Sequence, residues 1–360
     1  MNSKERLYRC MAGEATDRVP VVPIFMAWAA EYAGYTYGRF QQDHIALTDS
    51  LLRVQERFAI DQLTTLSDPH RETADYGAEV FFVDDGVCRC REPLLKDYDD
   101  IRKLRRIPIE DAPRMTDRVR AVERFHAERG GDISILGWVE GPLAEYCTLR
   151  TLEAAMTDLL TEPQCFHDVC AITMDNAIAW SRAQIAAGAD MIGVGDAASS
   201  LVSLDMFREH ILPWHQKLYA GIHGAGAKVR LHICGNIAHL LPAIRETGAD
   251  VVDIDWMVDL RRARDVLGPE TTLFGHFDPA AVLKMGTPED VARHAREDIA
   301  AGGDVRFGLM PGCEVPPGTP EANIAAFCPG EGCLIRDALA AAWHGHLARE
   351  IPFPQGKGLG

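Results

Sequence analysis

Short apolar runs separated by longer amphipathic stretches dominate the chain, and from residue 133 onward they alternate almost without a break. Residues 133–139, 191–195, 229–234, 251–255, 271–275 and 304–310 each read as a buried strand ended by glycine or a polar residue. The intervening stretches, 152–160, 162–187, 203–225, 237–247, 260–267 and 287–301, carry helical spacing, and a closing helix starts at residue 319. Pro213 should kink the third of these. The first part of the chain is less regular. A short helix over 3–11 precedes a strand candidate at 19–25, whose Pro20 and Pro23 suit a strand end or an irregular edge. A helical region over 40–58 buries Leu47, Leu51, Leu52 and Val54 on one face, and residues 61–67 form the next strand. Residues 73–90 break the rhythm as a hairpin turning at Asp85–Gly86, outside the main sheet, and two surface helices are expected at 97–105 and 114–129.

Eight strand candidates separated by helices predict an α/β protein of the (β/α)8 TIM-barrel type. The expected layout is a single barrel over residues 1–345, with an N-terminal helical extension, an inserted β-hairpin at 73–90 and a C-terminal tail at 346–360. Gly-Ala-Asp recurs at 188–190 and 248–250, at the same helix-to-strand junction. An open doubly wound sheet would normally place a glycine-rich phosphate loop after its first strand, and residues 23–34 contain none.

Strand ends collect the polar residues: Asp68, Glu140, Asp196, His232, Cys234, Asp255, His276, Asp278 and Cys313. In a barrel those ends converge on one mouth. His232 and Cys234, two apart on one strand, share a face. An imidazole and a thiol so placed are most of a zinc site with an open position, and Cys313 follows the last strand in the matching loop, beside Gly312. Free cysteine is also among the most buried residue types, so His-x-Cys taken alone reads as packing before it reads as a ligand pair. Zinc suits two thiolates and one imidazole. Asp255 is either a fourth ligand at rest or an ordinary strand-end acid. Asp68, Glu140, Asp196 and His276 are candidates for substrate contacts by position, and each would serve as well as a helix cap or ion-pair partner.

Composition narrows the partners. With 37 basic and 53 acidic residues the formal charge is −16, which argues against nucleic acid, since a phosphate-binding face needs a basic excess. No hydrophobic signal region opens the sequence, and the apolar stretch at 19–30 is too short to span a bilayer and contains two prolines. The expectation is a cytoplasmic protein whose ten cysteines are ligands or small buried residues, not disulfides. The oligomeric state is not legible.

Several motifs are shared with one known group. They are the opening helix followed by Asp17-Arg-Val-Pro-Val-Val22, the 188–196 strand, and Leu231-His-Ile-Cys-Gly-Asn236. Gly275-His-Phe-Asp-Pro279 and Pro311-Gly-Cys-Glu-Val-Pro-Pro-Gly-Thr-Pro-Glu-Ala-Asn323 complete the set. Over nearly its whole length the chain resembles the uroporphyrinogen decarboxylase superfamily and, within it, the zinc-dependent, corrinoid-linked methyltransferases. That branch includes enzymes moving a methyl group from a methylated corrinoid protein to coenzyme M. The resemblance carries most of the weight of the metal reading. It implies zinc at His232, Cys234 and Cys313, and methyl transfer between cobalamin and a small thiol, tetrahydrofolate, or a methoxy- or methylamine-type compound. No Asp-x-His-x-x-Gly cobalamin motif is present, so a separate corrinoid protein is the expected partner. The decarboxylase branch fits poorly, because residues 25–32 hold no arginine where carboxylate-binding arginines are expected. The alternatives are a metal-free decarboxylase or lyase using Asp68 and Asp196, and a non-catalytic zinc-binding barrel.

Overall fold

The structure, a computed structural model, describes residues 1–303 and 305–341; the expected tail at 346–360 lies outside the described residues. Seven parallel strands form one curled sheet in the order β1 (Gln62–Thr64), β4 (Ser134–Glu140), β5 (Met191–Gly195), β6 (Lys228–His232), β7 (Val251–Asp253), β8 (Thr272–Phe277) and β9 (Phe307–Pro311). All neighbours pair in parallel with helices between them, as expected of successive βα units. The hairpin forms separately from β2 (Val80–Val83) and β3 (Gly86–Cys90).

The eighth stave is the predicted segment 19–25, but it is not a regular strand. On one side Val22 donates to the Leu309 carbonyl (3.0 Å) and Leu309 donates to that of Pro20 (2.8 Å); on the other, Asp61 donates to the Val21 carbonyl (2.8 Å). Pro20 and Pro23 lack N–H groups, so a continuous ladder cannot run through this stretch. Asp61 replaces part of the missing ladder. Its fully buried carboxylate accepts from the Val21 amide (2.8 Å), from Arg6 Nη1 (2.8 Å) and from both Arg18 Nη atoms (2.5 and 2.9 Å).

Two apolar clusters follow from the alternation of strand side chains. One lies between sheet and helices; the other fills the barrel with Val22, Ile24, Leu136, Trp138, Met191, Val251, Phe274 and Met310. Leu7 and Met11 of the first helix (Ser3–Ala12) join the inner cluster, so the N-terminal extension closes the bottom of the barrel. The expected helix over 40–58 is two, Tyr37–Gln42 and His44–Phe58. Asp43 between them has extended backbone and caps the second through Ile45 N (2.9 Å). Pro213 starts a helix (Leu212–His223) directly after a π-helical turn at Phe207–Ile211. A proline in the first turn sacrifices no intrahelical bond.

Replacing Asp61 by alanine leaves two guanidinium groups facing a buried gap. The expected cost is ~3–5 kcal/mol, read by urea denaturation, with wild-type-like far-ultraviolet dichroism before the transition.

Candidate metal centre and barrel mouth

The centre starts inside the barrel, one layer below the mouth. Arg230 on β6 is buried among apolar side chains, with its guanidinium carbon 4.9 Å from the centroid of the Phe274 ring. It donates through Nε to Asp253 Oδ1 (2.8 Å) and through Nη1 to Gln62 Oε1 (2.6 Å). The other oxygen of Asp253 meets His232 Nδ1 at 2.9 Å. With Nδ1 so engaged, Nε2 is the nitrogen left for the cavity, 3.6 Å from Cys313 Sγ. The ligand atoms of His232, Cys234 and Cys313 all lie within 4.8 Å of one another.

Local backbone makes this approach possible. Gly235, at φ +94, turns the chain after Cys234 and donates to Asp255 Oδ2 (2.6 Å). A Cβ on Gly312 would fall 2.5 Å from Asp255 Oδ1 and 2.6 Å from the Trp256 amide nitrogen. Only glycine lets the Cys313 loop come this close to the end of β7.

The electrostatics fit a soft divalent cation. Burial opposes charge on His232, yet hydrogen bonds to Asp253 and Cys234 raise its pKa to about 10. Hydrogen bonds from Cys313 and His232 depress Cys234 to about 4, while Cys313, bonded to that thiolate, is pushed up. Three groups thus crowd together and share protons that a metal would displace. One imidazole and two sulfurs in this space are a donor set suited to zinc. Asp255 lies outside this group of three. Its oxygens accept from the amides of Gly235 and Trp256 (2.6 and 2.8 Å), so it shapes the turn beneath Cys234.

The triad opens into a cavity of about 190 Å³. Asp68 and Glu140 line it with the triad, whereas Asp196 and His276 do not. Asp196 is buried and turned to the Ala144 amide (2.6 Å), Ser199 Oγ (2.8 Å) and His215 Nε2 (2.8 Å). His276 is held by Asp298 through Nδ1 (2.8 Å). Asp68 rests on Arg114 (2.6 Å), and Glu140 on Arg71 (2.6 Å). Burial is outweighed at Asp68 by Arg114 and Arg71, which hold its carboxyl well below the usual range.

Sequence reasoning passed over Asp253, Arg71, Arg114, Trp138 and Glu314. Asp253 was legible as the same-face neighbour of Asp255, two residues earlier on its strand. Arg71 and Arg114 carried no local signal for the mouth, since the cavity-lining carboxylates they bind, Glu140 and Asp68, lie 69 and 46 positions away. The inserted hairpin also reaches the mouth: Val87 lines the cavity, and Cys88 Sγ lies 3.3 Å from Asp68 Oδ1.

The sequence profile described as uroporphyrinogen decarboxylase (URO-D) matches residues 2–329. The chain belongs to the URO-D family. Among its relatives, the methylcobamide:CoM methyltransferase MtbA of Methanosarcina acetivorans is 26% identical over 330 residues, covering 89% of this chain and 95% of that protein. A uroporphyrinogen decarboxylase of Nocardia farcinica is 32% identical over 203 residues, 55% of each chain. A solved methyltransferase from Methanosarcina mazei superposes with a TM-score of 0.82 at 20% identity, covering 95% of this chain and 98% of that one. At that identity the superposition speaks for the fold, an α/β barrel.

Two outcomes follow for this URO-D chain. Asp253→Asn removes the anion that orients His232 and is expected to weaken zinc binding by roughly 10–100-fold, measured by competition with a chromophoric chelator. Burial, only partly offset by Arg71, pushes Glu140 up to about 8. Its folded value lies above the unfolded one of about 4.3, so the stability it contributes is full below that value and is lost as pH rises through about 8. The urea midpoint is expected to fall from about pH 6 to about pH 9, and to fall less in Glu140→Gln.

Proposed function

We propose that this chain is a zinc-dependent methyltransferase that moves a methyl group between a corrinoid carried by a partner protein and a small acceptor or donor. The observation that carries the reading is the convergence of His232, Cys234 and Cys313 within 4.8 Å at the barrel mouth. Bound there, zinc would supply Lewis acidity, keeping a substrate thiol as thiolate at neutral pH or polarising the heteroatom that gives up the methyl. The names of the Methanosarcina relatives support the corrinoid chemistry, and the same geometry serves either direction of transfer.

The remaining work falls to the chain. Asp253 and Arg230 orient the imidazole. Asp255 holds the turn that presents Cys234. Ile24, Met26, Leu66 and Trp138 give the cavity apolar walls, which keep water from the reacting atoms. When a thiol is the acceptor, its sulfur bonds to the methyl carbon. The cobalt–carbon bond breaks with its electron pair remaining on cobalt, and the thiol proton is released. Asp68 and Glu140 line the space a small substrate would take; Asp196 and His276 support the surrounding loops.

The corrinoid needs access from outside. Phe81 and Val87 on the hairpin, Leu201 after β5, Trp256 and Met257 after β7, and Met285 after β8 are all exposed. They follow or overhang strand ends around the mouth, an apolar rim suited to a docked protein. Among the described residues no helix is long and apolar enough to cross a membrane.

The decarboxylase relatives favour a second reading, a tetrapyrrole substrate. Against it, about 190 Å³ is less than the ~300–1,000 Å³ that drug-sized ligands occupy, and a tetrapyrrole is larger still. The test is direct. Protein purified without chelators is expected to hold about one zinc per chain and to methylate small thiols from free methylcobalamin, or to methylate cobalamin from a methyl donor. Cys234→Ala should lose both metal and turnover while keeping its dichroism and cooperative unfolding. A stable, active, zinc-bound Cys234→Ala protein would refute the assignment.

A further inference from the structure

Charge around the cavity bears on what the small substrate is. Three carboxylates line it, from the end of β1 (Asp68), the end of β4 (Glu140) and the loop after β9 (Glu314), and no lysine or arginine is among the described lining residues. The nearest guanidiniums point elsewhere. Arg71 donates to Glu140 Oε1 and to the Asp68 carbonyl, and Arg114 to Asp68 Oδ2 and the Gln41 carbonyl. Asp68 is saturated by Arg114, Ser67, the His70 amide and Cys88. Glu140 and Glu314 are not. Glu140 Oε1 accepts from Arg71 and Glu314 Oε1 from the Ala27 amide (3.3 Å), and neither second oxygen is among the buried unpartnered atoms, so each stays accessible to a ligand.

The shortage of positive charge runs deeper than the lining. Glu72 and Glu145 are also buried, and one oxygen of each has no hydrogen-bond partner, although that of Glu72 lies 3.8 Å from Arg71 Nε. Among the described residues Arg71 pairs with Glu72 and Glu140 and Arg114 with Asp68, Arg118 and His232 act on Asp68 and Glu314 without pairing with them, and Glu145 and Glu314 have no ion-pair partner of their own. Burial, only partly offset by Arg71, raises Glu140 to about 8, so a cation bound beside it also displaces its proton at neutral pH. A divalent ion held by two thiolates is neutral overall and does not make up the difference.

A carboxylate oxygen without a donor, in a site walled by apolar and aromatic side chains, is satisfied by a cation with an alkyl body. An anion there would add like charge in a poorly screened space. Resting on the methyl-transfer reading, we propose that the small substrate of this cavity is an organic cation. Its ammonium group sits against Glu140 and Glu314 and its alkyl part against Trp138, and a sulfonate- or carboxylate-bearing thiol is excluded by charge.

Three thiols that differ only at the far end test this on the zinc-loaded full chain: 2-aminoethanethiol, 2-mercaptoethanol and 2-mercaptoethanesulfonate. Binding is measured by calorimetry at low ionic strength, and methylation from free methylcobalamin is measured in parallel. Affinity should follow the order cation, neutral, anion, with at least about tenfold between the ends. Tetramethylammonium, which has no thiol, should compete with the cationic thiol. Glu140→Gln should shrink the spread, and Glu314→Gln serves the same purpose if the first variant does not fold. Sulfonate binding as tight as the ammonium thiol, no measurable binding of the ammonium thiol, or an undiminished spread in both variants would overturn the inference. If the charge order holds but no thiol is methylated and no methyl donor is demethylated, the methyl-transfer reading fails and the cation preference stands.

Discussion

The ion pair between Arg230 and Asp253, sealed inside the barrel, is the constraint on which the candidate centre depends. A guanidinium with no water around it is tolerated only if its donors are matched, and Asp253 takes its Nε while Gln62 takes Nη1. Asp253 is thereby pinned, and its second oxygen binds His232 Nδ1. Burial works against the charge on Asp253, yet Arg230 and His232 together hold its carboxyl below the ordinary range. The orientation of the imidazole is therefore a property of the packed interior and not of the mouth loops. The two cysteines come from chain outside the regular strands, and they reach the imidazole because Gly235 and Gly312 permit tight turns there.

Around this centre the protein arranges charge unevenly. Several buried acids are matched by arginines: Asp253 by Arg230, Asp68 by Arg114, and Asp61 by both Arg6 and Arg18. At Glu72, Glu140 and Glu145 carboxylates outnumber cations, and two of their oxygens, one each on Glu72 and Glu145, are left without hydrogen-bond partners. A fold selected for stability alone would have little reason to bury three acids against one arginine. Such local conflicts concentrate where a ligand completes the set. The apolar rim, with Leu201, Trp256, Met257 and Met285 exposed, is a second such conflict, carried at the surface.

The inserted hairpin joins these two features. It pairs with no strand of the main sheet, yet Gln41 bonds to the Cys88 amide and the Gly86 carbonyl (both 2.9 Å) and so ties it over the mouth. Val87 faces the cavity while Phe81 and the rest of its outer side are half-buried or exposed. The insertion thus narrows the opening and adds to the rim.

Barrel architecture was legible because it depends on short-range signals. Apolar runs of five to seven residues bounded by glycine and acid, repeated between amphipathic helices, specify βα units whatever their partners are. The His-x-Cys pair was legible for the same reason, since two residues on one strand share a face in any sheet. What lay beyond reach were relations between distant parts of the chain. Asp196 looked like a mouth residue, but His215 and the Ala144 amide draw it away, and Asp255 is engaged by the backbone of its own turn and that of Gly235. Glu140 and Glu314, 174 positions apart, acquire a shared role only when barrel closure brings the strand ends together. Periodicity records which face of an element is buried; it carries no information on which charges meet across the barrel, and here that meeting set the character of the site.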